Sequence, residues 1–387
     1  VPVCLAVALL VTSSSVRAQR SEPLIIDHTC TDITAIPEAG INQAKALLHI
    51  AYGHTSHGSQ LTHGMIGLID FANGGGLGLS LPTDIFAWNS GGTYGALDLR
   101  AGAMAGDVGY YPQWVNETRS YLDANPEVNV IIWSWCGQAD DKYVAGTLDS
   151  EYLTPMSQLE IDYPGVMFVY MTGHMEHSAD ANIKAANQMI RDYCISNNKV
   201  LYDFADIECY DPDGTFFEFP DDDCDYYSSP TGTLLGNWAI EWQNSHTEDV
   251  DWYDCYAAHT QPLNANLKAY AAWWLWVSLS GYDIPTGTGG QADTPAAFAL
   301  GQNFPNPFNP STHIEYSVPA RARVSLGIYD VRGRLVFELV DGFLAPGPHT
   351  VLWDGTDKSG RRVGSGVYFY RLQSGQSVQT RKMVVLE

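Results

Sequence analysis

The residues best suited to bond-breaking chemistry fall in a few short blocks. One block reads Gly53-His54-Thr55-Ser56-His57-Gly58-Ser59. A second is Asn89-Ser90-Gly91-Gly92-Thr93-Tyr94-Gly95, and a third is Cys136-Gly137-Gln138-Ala139-Asp140. Two more read Gly173-His174-Met175-Glu176-His177 and Asp254-Cys255-Tyr256-Ala257-Ala258-His259. Together they hold what acyl transfer requires. A hydroxyl is a weak nucleophile until a base takes its proton. A carboxylate must hold the basic imidazole in one tautomer. Glycine-rich turns let backbone N–H groups approach a developing oxyanion.

Each block follows an element that could position it. Ala46 to Tyr52, Asp84 to Trp88, Val128 to Trp135, Val166 to Met171 and Val200 to Phe204 are apolar runs of strand length. Continuous runs of this kind suit strands buried on both faces, hence a parallel sheet. Helical patterns lie between them. They cover Trp114 to Ala124, Ser178 to Asn197 with Ser178 as N-cap, and Leu263 to Leu279 with Gly281 as the stop. The expectation is a three-layer, flavodoxin-like α/β domain of about five parallel strands over 19–283. Active sites of such sheets lie beyond the carboxyl ends of the strands, where these blocks fall.

After residue 283 the pattern changes. Residues 284–297 are rich in Gly, Thr and Pro and read as a linker. Over 298–387, short strands are expected at His313 to Val318, Arg323 to Asp330, Leu335 to Leu339, His349 to Trp353, Val367 to Leu372 and Gln379 to Leu386. Turn signals separate them, so an all-β sandwich is expected. At the other end, Val1 to Val11 are almost all apolar, and Val16-Arg17-Ala18 is a small-x-small pattern. A signal peptide, truncated at its start, is expected over 1–18.

Charge divides with the domains. Residues 19–296 carry nine Lys/Arg against thirty-seven Asp/Glu, a net of −28, whereas residues 297–387 carry ten against seven, a net of +3. So acidic a front part argues against nucleic acid and anionic membrane as partners. Export would permit disulfides among Cys30, Cys136, Cys194, Cys209, Cys224 and Cys255, with Cys209–Cys224 the favoured bridge. With no C-x-x-C pair, a structural zinc site is not expected. No cofactor is expected. The acidic stretch from Asp203 to Asp225 could hold a structural calcium around Asp211-Pro212-Asp213-Gly214, although a solvated loop is the favoured reading.

The block order resembles the SGNH (GDSL-like) hydrolases over roughly residues 45–281. That resemblance implies Ser56 as nucleophile with Ser59 as a poorer candidate, and Gly95 in the oxyanion hole with Gly92 as the backup. It implies His259 as base and Asp254 as its orienting acid, with Asp251 as a rival. Gln138 is the residue nearest the family's asparagine, because Ala139 stands where Asn is expected. His54, His57 and His174 are candidates for substrate binding. No Gly-Asp-Ser is present, since His54-Thr55-Ser56-His57-Gly58 stands in its place. The implied activity is hydrolysis of an ester, an acyl or acetyl group on a carbohydrate or small molecule. Two alternatives stay open: a binding module on this fold without chemistry, and a metal site built from His54, His57, His174 and His259.

The last region resembles the type IX secretion sorting domain, an Ig-like sandwich of the flagellar-hook-cap type. The matching residues run from Gln302-Asn303-Phe304-Pro305-Asn306-Pro307 to Thr312, with Val331-Arg332-Gly333-Arg334, Trp353-Asp354-Gly355, Gly364-Ser365-Gly366-Val367-Tyr368-Phe369 and Arg381-Lys382-Met383-Val384-Val385-Leu386. The resemblance implies recognition by the secretion machinery. The protein is then expected to be secreted or held on the outer surface of a Gram-negative-type bacterium. No transmembrane segment is expected in the mature chain.

Overall fold

The computed structural model describes residues 20–284, 298–303, 306–309, 311–318, 322–344, 347–375 and 377–386. The expected signal peptide and nearly all of the expected linker lie outside these residues. The chain divides into two compact units near residue 286.

The front unit is a seven-stranded, all-parallel sheet. Its strands are β1 (Leu24–Ile26), β2 (His49–Gly53), β3 (Trp88–Asn89), β4 (Leu97–Ala101), β5 (Val130–Trp133), β6 (Met167–Met171) and β7 (Val200–Tyr202). Their spatial order is β1-β7-β6-β5-β2-β4-β3. Counting β2, β4, β5, β6 and β7 as one to five gives the doubly wound order 2-1-3-4-5. The order reverses between β2 and β5, and chains leaving these two neighbours diverge to open a crevice.

Alternation along the strands sorts the side chains into two cores. Ile50, Tyr52, Val130, Ile132 and Val169 face one core, shared with α1 (Glu38–Leu47), α2 (Ser59–Asn73) and α9 (Pro262–Leu279). Ala51, Ile131, Trp133, Phe168 and Tyr170 face the other, shared with α3 (Gln113–Ala124), α5 (Thr154–Asp162) and α6 (Asp180–Ser196). Short helices α4 (Ala139–Val144), α7 (Phe204–Ile207) and α8 (Trp238–Ser245) and a hairpin of β8 (Asp225–Tyr227) with β9 (Leu234–Asn237) complete the unit. Among the described residues no helix is long and apolar enough to cross a membrane.

The expected strands and helices agree with the structure to within a few residues, except that the strand expected at Leu335 to Leu339 runs on to Leu344 and one expected front strand fails. Asp84 to Trp88 is mostly turn, and only Trp88–Asn89 form an edge strand. The second main strand is β4, whose Leu97 to Arg100 alternate apolar with charged residues and so read weakly as a buried run. Two partners bond its buried Asp98: the Arg100 guanidinium, with Nη2 at 2.9 Å, and His49 Nδ1 at 2.9 Å. Ser178 is not an N-cap. Its hydroxyl donates to Glu176 Oε1 at 2.6 Å, and α6 begins at Asp180.

The favoured disulfide is not formed. Cys209 and Cys224 are both free thiols, as are the other four cysteines of the described residues. Cys209 Sγ donates to Ala205 O at 3.1 Å, and Cys224 Sγ pairs with Thr260 Oγ1 at 3.3 Å.

In the second unit the named strands pair antiparallel, and an isolated parallel bridge joins Phe308 to Val385. One sheet joins β10 (Ala299–Leu300), β11 (Thr312–Val318) and β14 (Gly347–Trp353). The other runs β13 (Leu335–Leu344), β12 (Ala322–Tyr329), β15 (Gly366–Ser374), β16 (Ser377–Val385). Inward residues Ile314, Val318, Val324, Leu326, Ile328, Trp353, Tyr370, Leu372 and Met383 fill the space between them. Leu326 is fully buried at the centre. Leu326→Ala should therefore cost about 3 kcal/mol by lost burial plus the cavity left behind. Denaturant unfolding of the purified chain would measure it.

Candidate active site

The crevice between β2 and β5 holds the site. The chain leaves β2 at Gly53 and makes one tight turn before α2. Ser59 N donates to Thr55 O and to Ser56 O, both at 3.1 Å, and Tyr52 Oη donates to Gly58 O at 2.9 Å. A Cβ at Gly58 would lie 2.2 Å from Ser134 Oγ, so only glycine lets this turn sit against the end of β5. From β5 the chain runs through Ser134 and Trp135 to Cys136. Ser134 N donates to Gly53 O at 3.0 Å, and Trp135 Nε1 donates to Met171 O at 3.0 Å. Gly137 and Gln138 then take left-handed φ values of 84° and 65°, turning the chain sharply into α4. Their backbone N–H groups have no acceptor within the described residues.

These turns bring Cys136 and His57 together. His57 Nδ1 lies 3.3 Å from Cys136 Sγ, and Ser56 Oγ lies 3.1 Å from the same sulfur. His57 Nε2 is 2.9 Å from Asp222 Oδ2. One ring therefore spans a thiol and a carboxylate. His57 is 9% exposed, while Cys136 stays partly open to solvent.

The electrostatics follow from the contacts. The hydrogen bond from His57 draws the Cys136 thiol down to about 6, against burial, with help from Ser56, Thr55 and the His57 backbone N–H. Burial works against a charged His57, but its bonds to Asp222 and Cys136 outweigh that and raise it to about 9. Burial also opposes ionisation of Asp222, yet the His57 bond holds its carboxyl below the usual carboxylate range. The three groups thus favour a thiolate, an imidazolium and a carboxylate in a row.

Asp222 comes from the acidic stretch, which is built for more than solubility. Asp221 Oδ1 accepts from Asp222 N at 3.1 Å and from His177 N at 3.2 Å. Asn237 Nδ2 donates to Asp223 O at 2.8 Å and Asp225 Oδ1 at 2.9 Å. These bonds hold the loop while Asp222 reaches inward. The segment proposed for calcium is an ordinary turn, in which Asp211 Oδ1 accepts from Asp213 N at 3.0 Å and Thr215 N at 2.8 Å.

Two more imidazoles flank His57. His174 stacks on it with centroids 3.9 Å apart and planes at 3°, and His259 stacks at 4.4 Å and 12°. This geometry bears on the metal alternative. Asp222, His57 and His259 offer ligand atoms within 4.8 Å of one another. Imidazole lone pairs lie in the ring plane, however, and stacked rings confine them to nearly parallel planes that do not meet between the rings. Two rings stacked 4.4 Å apart cannot converge on one ion at bonds of about 2.0–2.1 Å. His57 also has both nitrogens engaged.

The other residues singled out in the sequence fall as follows. The described hydrogen bonds do not join Ser56 to His259; the Ser56 hydroxyl faces Cys136 instead. His259 is exposed at a left-handed φ of 64° and meets His57 face to face. Asp254 is exposed, and Asp251 Oδ2 accepts from Thr247 N at 2.8 Å as a turn cap. Ser59 Oγ donates to Ser56 O at 2.6 Å. His54 turns away, its ring 4.5 Å from Tyr52, and does not join the stack. Gln138, in the orientation that suits its neighbours, donates to Gly137 O at 2.6 Å and Cys136 O at 3.3 Å, so its amide is spent on its own loop.

Gly92 and Gly95 lie at the wrong end of the sheet. Their loop precedes β4 and wraps Asp98, with Gly91 N donating to Asp98 Oδ1 at 2.7 Å. Asp98 pairs with His49 at the start of β2, opposite the crevice. The loop that does follow β4 runs from Gly102 to Gly109. Its Asp107 Oδ2 accepts from Thr55 Oγ1 at 3.3 Å. Sequence reasoning did not single out Cys136, which meets one nitrogen of His57, or Asp222, which meets the other. The signal for Cys136 was present, a cysteine directly after the third strand; Asp222 lies 165 residues from His57 and carries no such mark.

Among the described residues the contacts predict one reactive thiol. Iodoacetamide should label Cys136 with a midpoint near pH 6. Cys30, Cys224 and Cys255, pushed up to about 12 by burial, should stay unlabelled at that pH. Peptide mass spectrometry across a pH series would check it.

Comparison with known proteins bears on the second unit. Residues 310–377 match the family model described as the FlgD Ig-like domain. No curated protein gives a significant match. Among solved structures, dimeric latent PorU from Porphyromonas gingivalis is 29% identical over 24% of this chain and 10% of its own, with a TM-score of 0.21. PorZ, an essential surface component of the type-IX secretion system of the same organism, is 22% identical over 26% of this chain and 13% of its own, with a TM-score of 0.18. FlgD from Xanthomonas campestris is 22% identical over 24% of this chain and 70% of its own, with a TM-score of 0.18. This chain thus spans only about an eighth or less of the first two. Its C-terminal region carries an Ig-like domain of the FlgD type.

Proposed function

We propose that the front unit is an acyl hydrolase acting through the Cys136 thiol rather than a serine hydroxyl. One observation carries this: His57 is bonded at Nδ1 to Cys136 and at Nε2 to Asp222. A nucleophile, a base and an orienting acid joined in this order are the working parts of covalent acyl transfer.

The steps follow from the contacts. Cys136 Sγ attacks the ester carbonyl and forms a C–S bond. The developing oxyanion is met by the N–H groups of Gly137 and Gln138, which follow the thiol directly. The C–O bond to the alcohol breaks as His57 gives that oxygen its proton. Water then attacks the thioester, His57 takes a proton from it, and the carboxylic acid leaves with the thiolate restored. Asp222 holds the ring in place and stabilises its charge throughout. Ser56 and Thr55 hold the thiolate without entering the covalent steps.

The substrate is an ester, with an acyl or acetyl group on a carbohydrate as the preferred candidate. Support comes from the sequence resemblance to SGNH hydrolases and from an acidic front unit that disfavours anionic polymers. The C-terminal Ig-like unit is a type IX sorting domain in this reading, recognised by the secretion machinery. The protein then works outside the cell or on its outer surface.

Hydrolysis of an acetyl-ester panel tests the chemistry. Cys136→Ala should lower the rate at least about a thousandfold, and Ser56→Ala about tenfold or less. The reverse ranking would restore the serine as nucleophile. An absence of turnover in wild type, with saturable glycan binding, would favour a binding module instead. The rate should also trace a bell in pH. It rises as Cys136 ionises near 6 and falls as His57 loses its proton near 9.

A further inference from the structure

Behind the site lies a buried charge pair that the proposed chemistry does not use. Lys268 of α9 and Glu208, just after α7, are both fully buried. Lys268 Nζ donates to Glu208 Oε1 at 2.7 Å and to Gln60 Oε1, and it sits 3.7 Å from the centre of the Phe204 ring. An ion pair in such a place brings little stability compared with an apolar pair of the same volume. A different benefit is then expected of it.

The partners of this pair indicate the benefit. Glu208 Oε2 accepts from Met175 N at 2.7 Å, and Met175 O holds His174 Nδ1 at 2.9 Å. Gln60 Nε2 donates to Ala258 O at 2.6 Å, one residue before His259. His174 and His259 are the two rings that stack on His57. One ammonium therefore reaches, by two separate arms, both loops that clamp the ring between Cys136 and Asp222.

We propose that Lys268, with Glu208 and Gln60, is a positioning device that holds the His174 and His259 loops against the two faces of His57 and so keeps that ring aligned between thiol and carboxylate. The inference rests on the Cys136–His57–Asp222 reading. Distances of 3.3 and 2.9 Å at the two ring nitrogens leave little room for tilt. The in-plane bonds fix two points of the ring; the stacked imidazoles restrain it out of plane. The charged and titratable groups bearing on His57 are Cys136, Asp222, His174, His259 and Asp107. Lys268 also acts on Asp222 through its charge.

The test follows the pH midpoint of Cys136 alkylation by iodoacetamide in the full chain. Three variants are compared: His259→Ala, Gln60→Leu and the double variant Glu208→Gln/Lys268→Met. The double variant leaves no unpaired buried charge. Wild type should show a midpoint near 6. Each variant should move it upward by about one unit, slowing alkylation at pH 6 about fivefold. A purely structural role would lower the melting temperature and leave the midpoint in place. Should the double variant fail to fold, Gln60→Leu still decides, because it cuts the arm to the His259 loop while Lys268 keeps Glu208. A wild-type midpoint near 6, with unmoved midpoints in His259→Ala and Gln60→Leu, overturns the positioning role alone. A wild-type midpoint near that of an ordinary thiol, about 8.5, removes the thiolate reading beneath it as well.

Discussion

The front unit depends on one imidazole bonded at both nitrogens. His57 has Cys136 on Nδ1 and Asp222 on Nε2, and the three come from places far apart in the chain. A bond at each nitrogen makes the ring a bridge, and a bridge requires both ends to be held. The parallel order places β2 beside β5, so the residues just past each strand meet. The tight turn at Gly58 lowers His57 into the crevice, and the two left-handed residues after Cys136 turn the chain away to leave the sulfur partly open. The sheet topology, the two turns and the acidic loop all converge on that ring.

The strong negative charge of the front part acquires a different meaning in three dimensions. As composition it suggests solubility. In the fold, many of the carboxylates around 203–225 have specific partners. Asp203 pairs with Arg191, Asp206 with His28, Glu208 with Lys268 and Asp222 with His57. Asp211 and Asp221 serve backbone N–H groups. A carboxylate buried against an imidazole favours the ring's charged form, and that charge in turn favours the thiolate. Acidity near the crevice is therefore part of the electrostatics around His57. Within the same stretch, the Asp-Pro-Asp-Gly segment first considered for calcium closes an ordinary turn.

The two units differ in how openly the sequence shows them. Short alternating runs separated by Arg-Gly, Asp-Gly and Ser-Gly turns give most C-terminal strands to within a few residues, because local turn chemistry and two-residue periodicity decide them; β10 and the far half of β13 were not foreseen. Buried parallel strands were legible for a different local reason, their continuous apolar runs, as at Val130–Trp133 and Met167–Met171. The second main strand was not. Leu97–Ala101 carries Asp98 and Arg100, which neutralise each other only once folded, so its run looked too polar to be central. That error moved the oxyanion candidates Gly92 and Gly95 to the opposite end of the sheet.

By itself the sequence determined the α/β class of the front part, the β-sandwich behind it, and the concentration of reactive groups after the first, third and fourth main strands. These follow from periodicity, turn residues and composition, which act over a few neighbours. Only the tertiary structure decided which groups meet. Ser56 and His259 looked like partners by order along the chain, yet the fold sets the hydroxyl against a thiol and lays the imidazole flat on another ring. Pairing across 79 and 165 residues depends on strand order and loop path, which no local pattern encodes.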